Sequence, residues 1–368
     1  MKLFFYFVFI IFISSLSDAS IQKWTSSLPE NSEFSISEDL EERVNFWIKI
    51  YSHYSTNQGV FHLADDPEFI LGEIDVSSIN ENSILSSSEK QKQIQKLVES
   101  TRTELIKKWK ISEANTKKVR LQMGLKDRMQ KALFLSGRYL PMMEKIFRQK
   151  KLPIELTRLV FVESSFNVMA QSKVGASGLW QIMPSVAKPH GYIKTHYDNR
   201  NHPVYATQLA SEILKTNYAK LNSWPLAITA YNHGLTGVKR MVELNQSQDI
   251  ETLVASESTT RSWGFASKNF YACFLAVLEV ERNAHSLFGD HLVQSKNLKF
   301  KEFILKKPLA KKTALKLFDG SLSRFKQLNP HLNWARLNKQ KKLPAGLPLI
   351  IPTENFYLVA QFKSNLTN

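Results

Sequence analysis

One glutamate in the middle of the chain lies on a predicted apolar helix face. Pro153 suits the first turn of that helix. Leu156, Leu159, Val160 and Glu163 share one face, because seven residues make almost two turns. An ionised carboxylate on such a face loses solvation, and a raised pKa avoids that cost. A carboxyl group of this kind suits general acid catalysis. The alternative is a glutamate that reaches solvent or pairs with a buried lysine or arginine.

A glycine-containing segment follows the glutamate. Residues 164–167 end the helix, and residues 175–184 read Gly-Ala-Ser-Gly-Leu-Trp-Gln-Ile-Met-Pro. Two glycines three residues apart suit a tight turn and a close approach of the backbone to a ligand. Trp180, Gln181 and Met183 offer an indole, an amide and an apolar contact, which carbohydrate sites use. The alternative is that Trp180 and Met183 pack in the core.

A second group of polar side chains comes at the end of a later helix. Pro225 opens this helix, and Gly234 fits its C-terminal cap. Tyr231 and Asn232 therefore lie at a helix end, where a hydroxyl and an amide can point into a cleft. Capping by Asn232 and core packing of the Tyr231 ring are the alternative interpretation.

Three ordered segments resemble a known family. Residues 163–166 (ESSF), 175–184 (GASGLWQIMP) and 230–234 (AYNHG) resemble the E-S-x-F, G-A-x-G-L-x-Q-x-M-P and A-Y-N-x-G signatures of soluble-type lytic transglycosylases. The membrane-bound transglycosylase D subgroup is the most similar subgroup. The resemblance implies a lysozyme-like, mainly helical catalytic domain and cleavage of the β-1,4 bond between N-acetylmuramic acid and N-acetylglucosamine in peptidoglycan. By position it implies that Glu163 is the catalytic acid/base. The groups it implies for the sugar site are Ser172, Gln181, Met183, Tyr231 and Asn232.

The acidic residues around this helix are few. Between residues 156 and 240 the only acids are Glu163, Asp198 and Glu212. Ordinary glycoside hydrolysis uses two carboxylates that flank the bond. A single carboxyl group suits internal attack by the muramic C6 hydroxyl, which gives a 1,6-anhydro ring and benefits from proximity.

One segment departs from the family pattern. Many relatives have an E-T-x-x-Y-V segment, whereas residues 266–271 read Ala-Ser-Lys-Asn-Phe-Tyr. The acid is absent, and so is the hydroxyl unless Tyr271 supplies it. Cys273 follows among apolar residues and is expected to be a buried, inert thiol.

The chain divides into four predicted regions that have a mainly α fold. These are a signal peptide (1–19), an N-terminal helical and loop region (20–120), a lysozyme-like catalytic domain (121–285) and a small α+β C-terminal module (290–368). Within the second and third regions we predict a linker at 20–36, helices at 37–51, 87–109 and 115–139, and loops with at most short elements at 55–85. Pro141 is expected to bend or stop the last helix.

The start of the chain predicts export. Residues 3–16 are an apolar run behind Lys2, too short for a comfortable span, and Ser17-Asp18-Ala19 suits a cleavage site. An uncleaved anchor is the alternative. With no cysteine after this run, a lipoprotein anchor is excluded. The expected location is the periplasm or cell envelope.

The C-terminal region is strongly basic. The 368 residues carry 49 Lys and Arg against 33 Asp and Glu, and residues 290–368 hold 15 of these bases and only 4 of the acids. After export, nucleic acid is not an expected partner, and the anionic envelope is a natural one. A solvated lysine-rich face is the alternative.

The C-terminal pattern resembles a degenerate LysM, a βααβ module that binds N-acetylglucosamine polymers. A strand is predicted at 300–305, helices at 312–318 and 322–328, and an apolar, proline-containing segment follows at 343–352. The usual G-D-T-L opening is missing. The module either binds sugar or only docks on the catalytic domain.

The sequence therefore predicts an exported lytic transglycosylase that acts on peptidoglycan glycan strands. No metal or organic cofactor is implied, because the histidines are scattered without ligand spacing and there is one cysteine. The alternatives are a hydrolytic muramidase or chitinase on the same fold, and a wall-binding protein with impaired catalysis.

Overall fold

The computed structural model describes residues 21–257, 260 and 262–361. The predicted signal peptide at 1–19 lies outside these residues. Within them, no helix combines the length and the apolar character that crossing a membrane requires.

Helices dominate the described chain, which confirms the mainly α prediction. The helices are α1 (Glu38–Ser52), α2 (Ser77–Glu81), α3 (Ser87–Lys108), α4 (Lys126–Gln149), α5 (Leu159–Ser164), α6 (Pro184–Ala187), α7 (Pro203–Leu221), α8 (Trp224–His233), α9 (Leu235–Asn245), α10 (Ile250–Ala255), α11 (Phe265–Arg282), α12 (Ala284–Phe288), α13 (Lys311–Lys316), α14 (Leu322–Leu328), α15 (Trp334–Leu337) and α16 (Tyr357–Gln361). Short 3₁₀ helices span Glu113–Lys118, Ile154–Arg158, Asn199–Asn201 and Thr353–Asn355.

The strands are short and all their pairings are antiparallel. They are β1 (Ile21–Lys23), β2 (Gln58–Leu63), β3 (Ile70–Asp75), β4 (Val119–Met123), β5 (Val293–Ser295), β6 (Phe300–Ile304), β7 (Leu309–Ala310), β8 (Lys342–Leu343) and β9 (Pro348–Pro352). β1 pairs with β5, β6 with β9 and β7 with β8, while β2 lies between β3 and β4.

The predicted linker at 20–36 is wrong, because this segment is anchored in the fold. β1 pairs with β5, which lies just beyond the predicted catalytic region. Trp24 and Phe34 are each only 3% exposed. Two aromatic side chains in a polar, serine-rich stretch are enough to hold it against the core, and the average composition hides them.

Residues 55–85 contain only short elements joined by loops, as predicted, but two of these elements, β2 and β3, form a sheet with β4 that was not predicted. Val60 and Phe61, neighbours on β2, are both fully buried in different apolar clusters. Successive strand residues point to opposite faces, so β2 is covered on both sides. The alternation that marks a half-buried strand is therefore absent from its sequence.

The helix predicted at 115–139 has the wrong start. Residues 119–123 form β4, and the helix α4 begins at Lys126. Pro141 does not stop it, since α4 continues to Gln149. Tertiary packing outweighs the local cost of a proline here, because one face of α4 is buried along its whole length.

The largest apolar cluster of described residues runs from Trp24 to Leu292 and has α11 at its centre. α11 packs against α1, α5 and α8 and is buried on nearly all sides. Cys273 on this helix is buried, as predicted, and burial raises the pKa of its thiol. The predicted domain boundaries remain predictions.

The C-terminal segment has its own apolar cluster, from Leu305 to Val359. Its predicted strand and two helices are confirmed as β6, α13 and α14, and β9 returns to pair with β6. β7, α15 and β8 are present in addition to the predicted βααβ elements, and the LysM assignment itself stays a prediction.

Candidate active site

Glu163 lies in the last turn of the short helix α5. Leu156, Leu159 and Val160 on the same face are fully buried, as the heptad-like spacing predicts. Just after the helix, Ser165 and Phe166 both have left-handed backbone conformations, with φ of 49° and 57°. The chain therefore reverses sharply behind Glu163 and leaves its side chain at the end of a rigid element.

The Glu163 carboxyl group is partly exposed and has no protein partner. Within the described part of the chain, no hydrogen bond or ion pair reaches it, so the alternative of a buried lysine or arginine partner is not observed. Loss of solvation raises its pKa to about 8. At neutral pH this group holds its proton and can donate it.

The glycine-containing segment lies beside the end of α5. The Ser164 hydroxyl donates to the carbonyl of Leu179, at 2.8 Å. Gln181 has a φ of 45°, and its amide nitrogen donates to the carbonyls of Ala170 and Gly178, at 3.1 and 2.9 Å. Because both N–H groups are engaged, the Gln181 oxygen is the atom left to accept a hydrogen bond from a ligand.

Trp180 is buried, whereas Met183 is exposed. The Trp180 indole is fully buried, stacks on Phe147 at 5.7 Å between ring centroids and donates to Thr207 at 2.9 Å. The interpretation of Trp180 as a sugar contact is therefore wrong, and the core alternative holds. Met183 is 36% exposed. Other exposed apolar side chains on the same stretch are Met169, Val174 and Val186.

Tyr231 joins the same site from α8. Its hydroxyl donates to the carbonyl of Trp180 at 2.8 Å. Burial, and to a smaller extent the neighbouring Glu163, raise the pKa of Tyr231 well above its usual value. The structure thus brings Glu163, the Gln181 loop and Tyr231 together, although they are far apart in sequence.

The remaining predicted residues lie around this centre. The Ser172 hydroxyl accepts a hydrogen bond from the backbone N–H of Ala176 at 2.9 Å, which closes a turn. Asn232 is exposed at the end of α8, next to the Gly234 cap, whose φ is 91°. No hydrogen bond among the described residues joins Ser172, Met183 or Asn232 to Glu163, so their roles remain predictions.

The other two acids of this region are engaged elsewhere. Both carboxylate oxygens of Asp198 accept hydrogen bonds from the Arg200 guanidinium, the shortest at 2.7 Å. Glu212 pairs with Lys150 at the surface. Between residues 156 and 240, Glu163 is therefore the one carboxyl group without a cationic partner among the described residues.

Tyr51 is a residue that the sequence analysis missed. It lies on α1, and its pKa is raised by burial, by Cys273 and also by Glu163. Tyr271, the suggested replacement for the family tyrosine, instead has Glu251 as its charged neighbour. Tyr51 therefore places an N-terminal helix beside Glu163, and no sequence signal beyond an apolar helix face marked it.

No cluster of three or more histidine, cysteine or acidic side chains is found in the part of the chain that the structure describes.

Replacing Glu163 by glutamine is expected to stabilise the fold at alkaline pH. The pKa of Glu163 is about 8 in the folded protein against an ordinary 4.5. Between these values the unfolded chain has lost the proton that the folded chain keeps, so wild-type stability falls as pH rises. Because Glu163 is partly exposed, we expect E163Q to gain about 2 kcal/mol at pH 8 and nothing near pH 4. Urea unfolding at both pH values measures this.

The matched control is Glu212→Gln. Its side chain pairs with Lys150, and the hydrogen bond from Lys150 lowers the pKa of Glu212. This variant should therefore lose up to about 1 kcal/mol at pH 8. An E163Q protein no more stable than wild type at pH 8 would mean that Glu163 is well solvated.

The chain is similar to known proteins over its middle part. Residues 143–254 match the Transglycosylase SLT domain family. Over 107 residues the chain is 33% identical to membrane-bound lytic murein transglycosylase D from Escherichia coli K12 and, equally, from E. coli O6:H1 strain CFT073. Each match covers 28% of this chain and 24% of the relative. The chain thus matches about a quarter of the length of these curated relatives.

Among solved structures, the 70 kDa soluble lytic transglycosylase of E. coli is 20% identical, with a TM-score of 0.33. That match covers 42% of this chain and 25% of the other. The matched family segment contains Glu163, Gln181 and Tyr231. The match of residues 143–254 to the Transglycosylase SLT domain family confirms the family resemblance inferred from the three sequence segments.

Proposed function

We propose that this protein is a lytic transglycosylase that cleaves the β-1,4 bond between N-acetylmuramic acid and N-acetylglucosamine in peptidoglycan. The observation that carries the proposal is the Glu163 carboxyl group, partly exposed, unpaired among the described residues and with a pKa near 8, inside the SLT segment. The relatives named as lytic murein transglycosylases support the same reaction class.

The reaction needs one group that gives and then takes a proton. Protonated Glu163 donates to the glycosidic oxygen as the bond from that oxygen to C1 breaks. The resulting carboxylate removes the proton from the muramic C6 hydroxyl as its oxygen bonds to C1. The product is a 1,6-anhydro ring, Glu163 is protonated again, and no water is consumed. Holding the C6 hydroxyl close to C1 replaces the second carboxylate of hydrolytic enzymes.

The sugar is held by the groups around Glu163. The Gln181 oxygen accepts from a sugar hydroxyl or amide, because its nitrogen is engaged by the backbone. Met183 supplies an exposed apolar contact. Tyr231 fixes the Trp180 carbonyl and hence the loop. Ser172 and Asn232 complete the polar lining as the family resemblance implies.

Product analysis tests the reaction class. Purified peptidoglycan sacculi are digested with the protein, and the soluble fragments are analysed by mass spectrometry. The proposal expects fragments with 1,6-anhydromuramic ends. Fragments heavier by one water molecule, with reducing ends, would instead identify a hydrolytic muramidase.

We also infer that the protein works in the periplasm or cell envelope, on glycan strands, after export by the segment at 1–19. The basic residues of 290–368 support an additional association with the anionic envelope. No nucleic-acid partner is proposed.

Binding through this basic region is expected to depend on salt. With the inactive E163Q protein, pull-down by sacculi should weaken several-fold between 50 mM and 500 mM NaCl, because the Debye length falls from about 14 Å to about 4 Å. Co-sedimentation followed by gel quantification measures the bound fraction. A bound fraction that does not change with salt would assign binding to specific sugar contacts.

A further inference from the structure

A cavity lies where the C-terminal segment meets the SLT segment. Its volume is about 260 Å³, and it shares no lining residue with the Glu163 site. Tyr192, Tyr197 and Tyr205 line it from the SLT segment. Ile304, Gly346 and Pro348 close it from the ends of β6 and β9 and the turn before β9. The cavity therefore exists only when the two segments are docked.

The docking that forms this cavity is specific. The backbone N–H of Asp198 donates to the His331 carbonyl at 2.7 Å, and that of Asn333 donates to the His196 carbonyl at 2.8 Å. The buried rings of His202 and His331 lie 4.4 Å apart beside these bonds. Backbone pairing together with buried side chains holds the cavity walls in place, so the cavity is formed before any ligand enters.

Two of the lining residues carry side-chain amides that make no hydrogen bond within the described chain. Asn199 is only 8% exposed, and its Oδ1 is buried without a hydrogen-bond partner. Among the described residues, no hydrogen bond uses the side-chain amide of Asn199 or that of Gln208, which also lines the cavity. Leaving a buried polar atom unsatisfied costs free energy, and a ligand is one explanation for such an atom.

The lining also defines the class of ligand. It holds three tyrosine rings, two amides and the imidazole of His190, but no lysine, arginine, aspartate or glutamate. Tyr192 and Tyr205 have ring centroids 6.2 Å apart and are inclined to one another. Flat rings that bear hydroxyl groups, next to neutral amides, suit an uncharged ring with an apolar face and polar edges. The volume is just below the roughly 300 Å³ of the smallest pockets for drug-sized ligands, so it suits about one such ring.

We propose that this cavity binds a neutral sugar ring of a glycan strand, with the ring against the tyrosines and its polar groups on Asn199 and Gln208. The inference rests on the proposed function for the identity of the polymer. It adds a second sugar-binding site at the junction of the SLT segment and the C-terminal segment. A glycan strand bound in this cavity contacts both segments at once. Sugar binding therefore stabilises the docking of the two segments, and docking strengthens sugar binding.

Hydrogen exchange with a defined glycan tests the site. The full chain with Glu163→Gln is mixed with the β-1,4-linked tetramer of N-acetylglucosamine, a neutral probe, and amide exchange is followed by mass spectrometry. We expect protection of peptides that cover residues 190–208 and 344–350. An absence of protection in both peptides would overturn the proposal.

A double substitution separates this cavity from the Glu163 site. The double variant Asn199→Ala, Gln208→Ala removes two side-chain amides that make no hydrogen bond to another described residue. Its melting temperature should therefore equal that of the wild-type protein. We expect protection at 190–208 to need about tenfold more tetramer, while protection around Gln181 is kept. The control is Gln93→Ala with Gln95→Ala, two exposed glutamines on α3. Equal protection at 190–208 in both double variants would overturn the assignment.

These readouts are independent of the proposed reaction. If the wild-type protein does not cut sacculi but the tetramer still protects residues 190–208, the proposed function fails and the cavity assignment stands. If sacculi are cut to anhydro products and this region stays unprotected, the reaction stands and the cavity assignment fails.

Discussion

Glu163→Gln is expected to reduce lysis of sacculi by at least a hundredfold and to leave sacculus binding largely intact. Glutamine keeps the shape of the side chain but has no proton to give and no carboxylate to take one back. General acid–base catalysis contributes about 10² to 10⁴ in rate, and here one group serves both steps. Release of soluble muropeptides, measured beside co-sedimentation, gives the two quantities.

The control for this experiment is again Glu212→Gln. Glu212 is the nearby acid that pairs with Lys150 at the surface, so its loss should change the rate less than twofold. An E163Q protein that lyses sacculi within threefold of wild type would remove Glu163 from the mechanism. Loss of binding as well as lysis would instead indicate damage to the sugar site.

Replacement of Arg158, the residue just before α5, is expected to cause the second large effect, a loss of stability. Arg158 is fully buried, contacts Glu281 through two nitrogens at 2.7 and 2.8 Å and contacts Glu144 at 2.6 Å. Ser27 accepts a further hydrogen bond from it at 2.8 Å. Burial alone would lower the pKa of Arg158, but Glu281 and Glu144 together raise it. This ion network joins α4, α11 and the N-terminal segment just before the helix that carries Glu163.

Arg158→Ala is expected to cost about 3–5 kcal/mol of unfolding free energy, because it leaves the buried Glu281 without a cation and Glu144 with only the more exposed Arg148. Calorimetric unfolding at pH 7 measures the change. The matched control is Lys150→Ala, which breaks only the surface pair with Glu212 and should cost up to about 1 kcal/mol. A loss below 1 kcal/mol for Arg158→Ala would mean that water replaces the arginine.

The helical parts of the fold were predictable because their pattern is local. α1, α3 and α8 follow from apolar residues at helical spacing and from Pro225 and Gly234 at one helix's ends. The β2–β3–β4 sheet was not predictable, because β2 is buried on both faces and its neighbour β4 is more than fifty residues away. The anchoring of residues 21–36 was missed for a similar reason: two buried aromatic side chains are invisible in a polar composition.

The position of Glu163 on an apolar helix face was determined by the sequence alone, because Leu159 and Val160 lie on the same short helix. Its raised pKa also depends on burial in the tertiary structure, where Tyr51 and Tyr231 are its neighbours. The order of the three motifs was likewise sufficient to identify the SLT segment. The tertiary structure alone decided that Trp180 is core, that Asp198 and Glu212 are paired elsewhere and that Tyr51 lies near Glu163. It alone also formed the cavity at Asn199. Each of these depends on contacts between segments distant in the chain, and such contacts leave no periodic trace in the sequence.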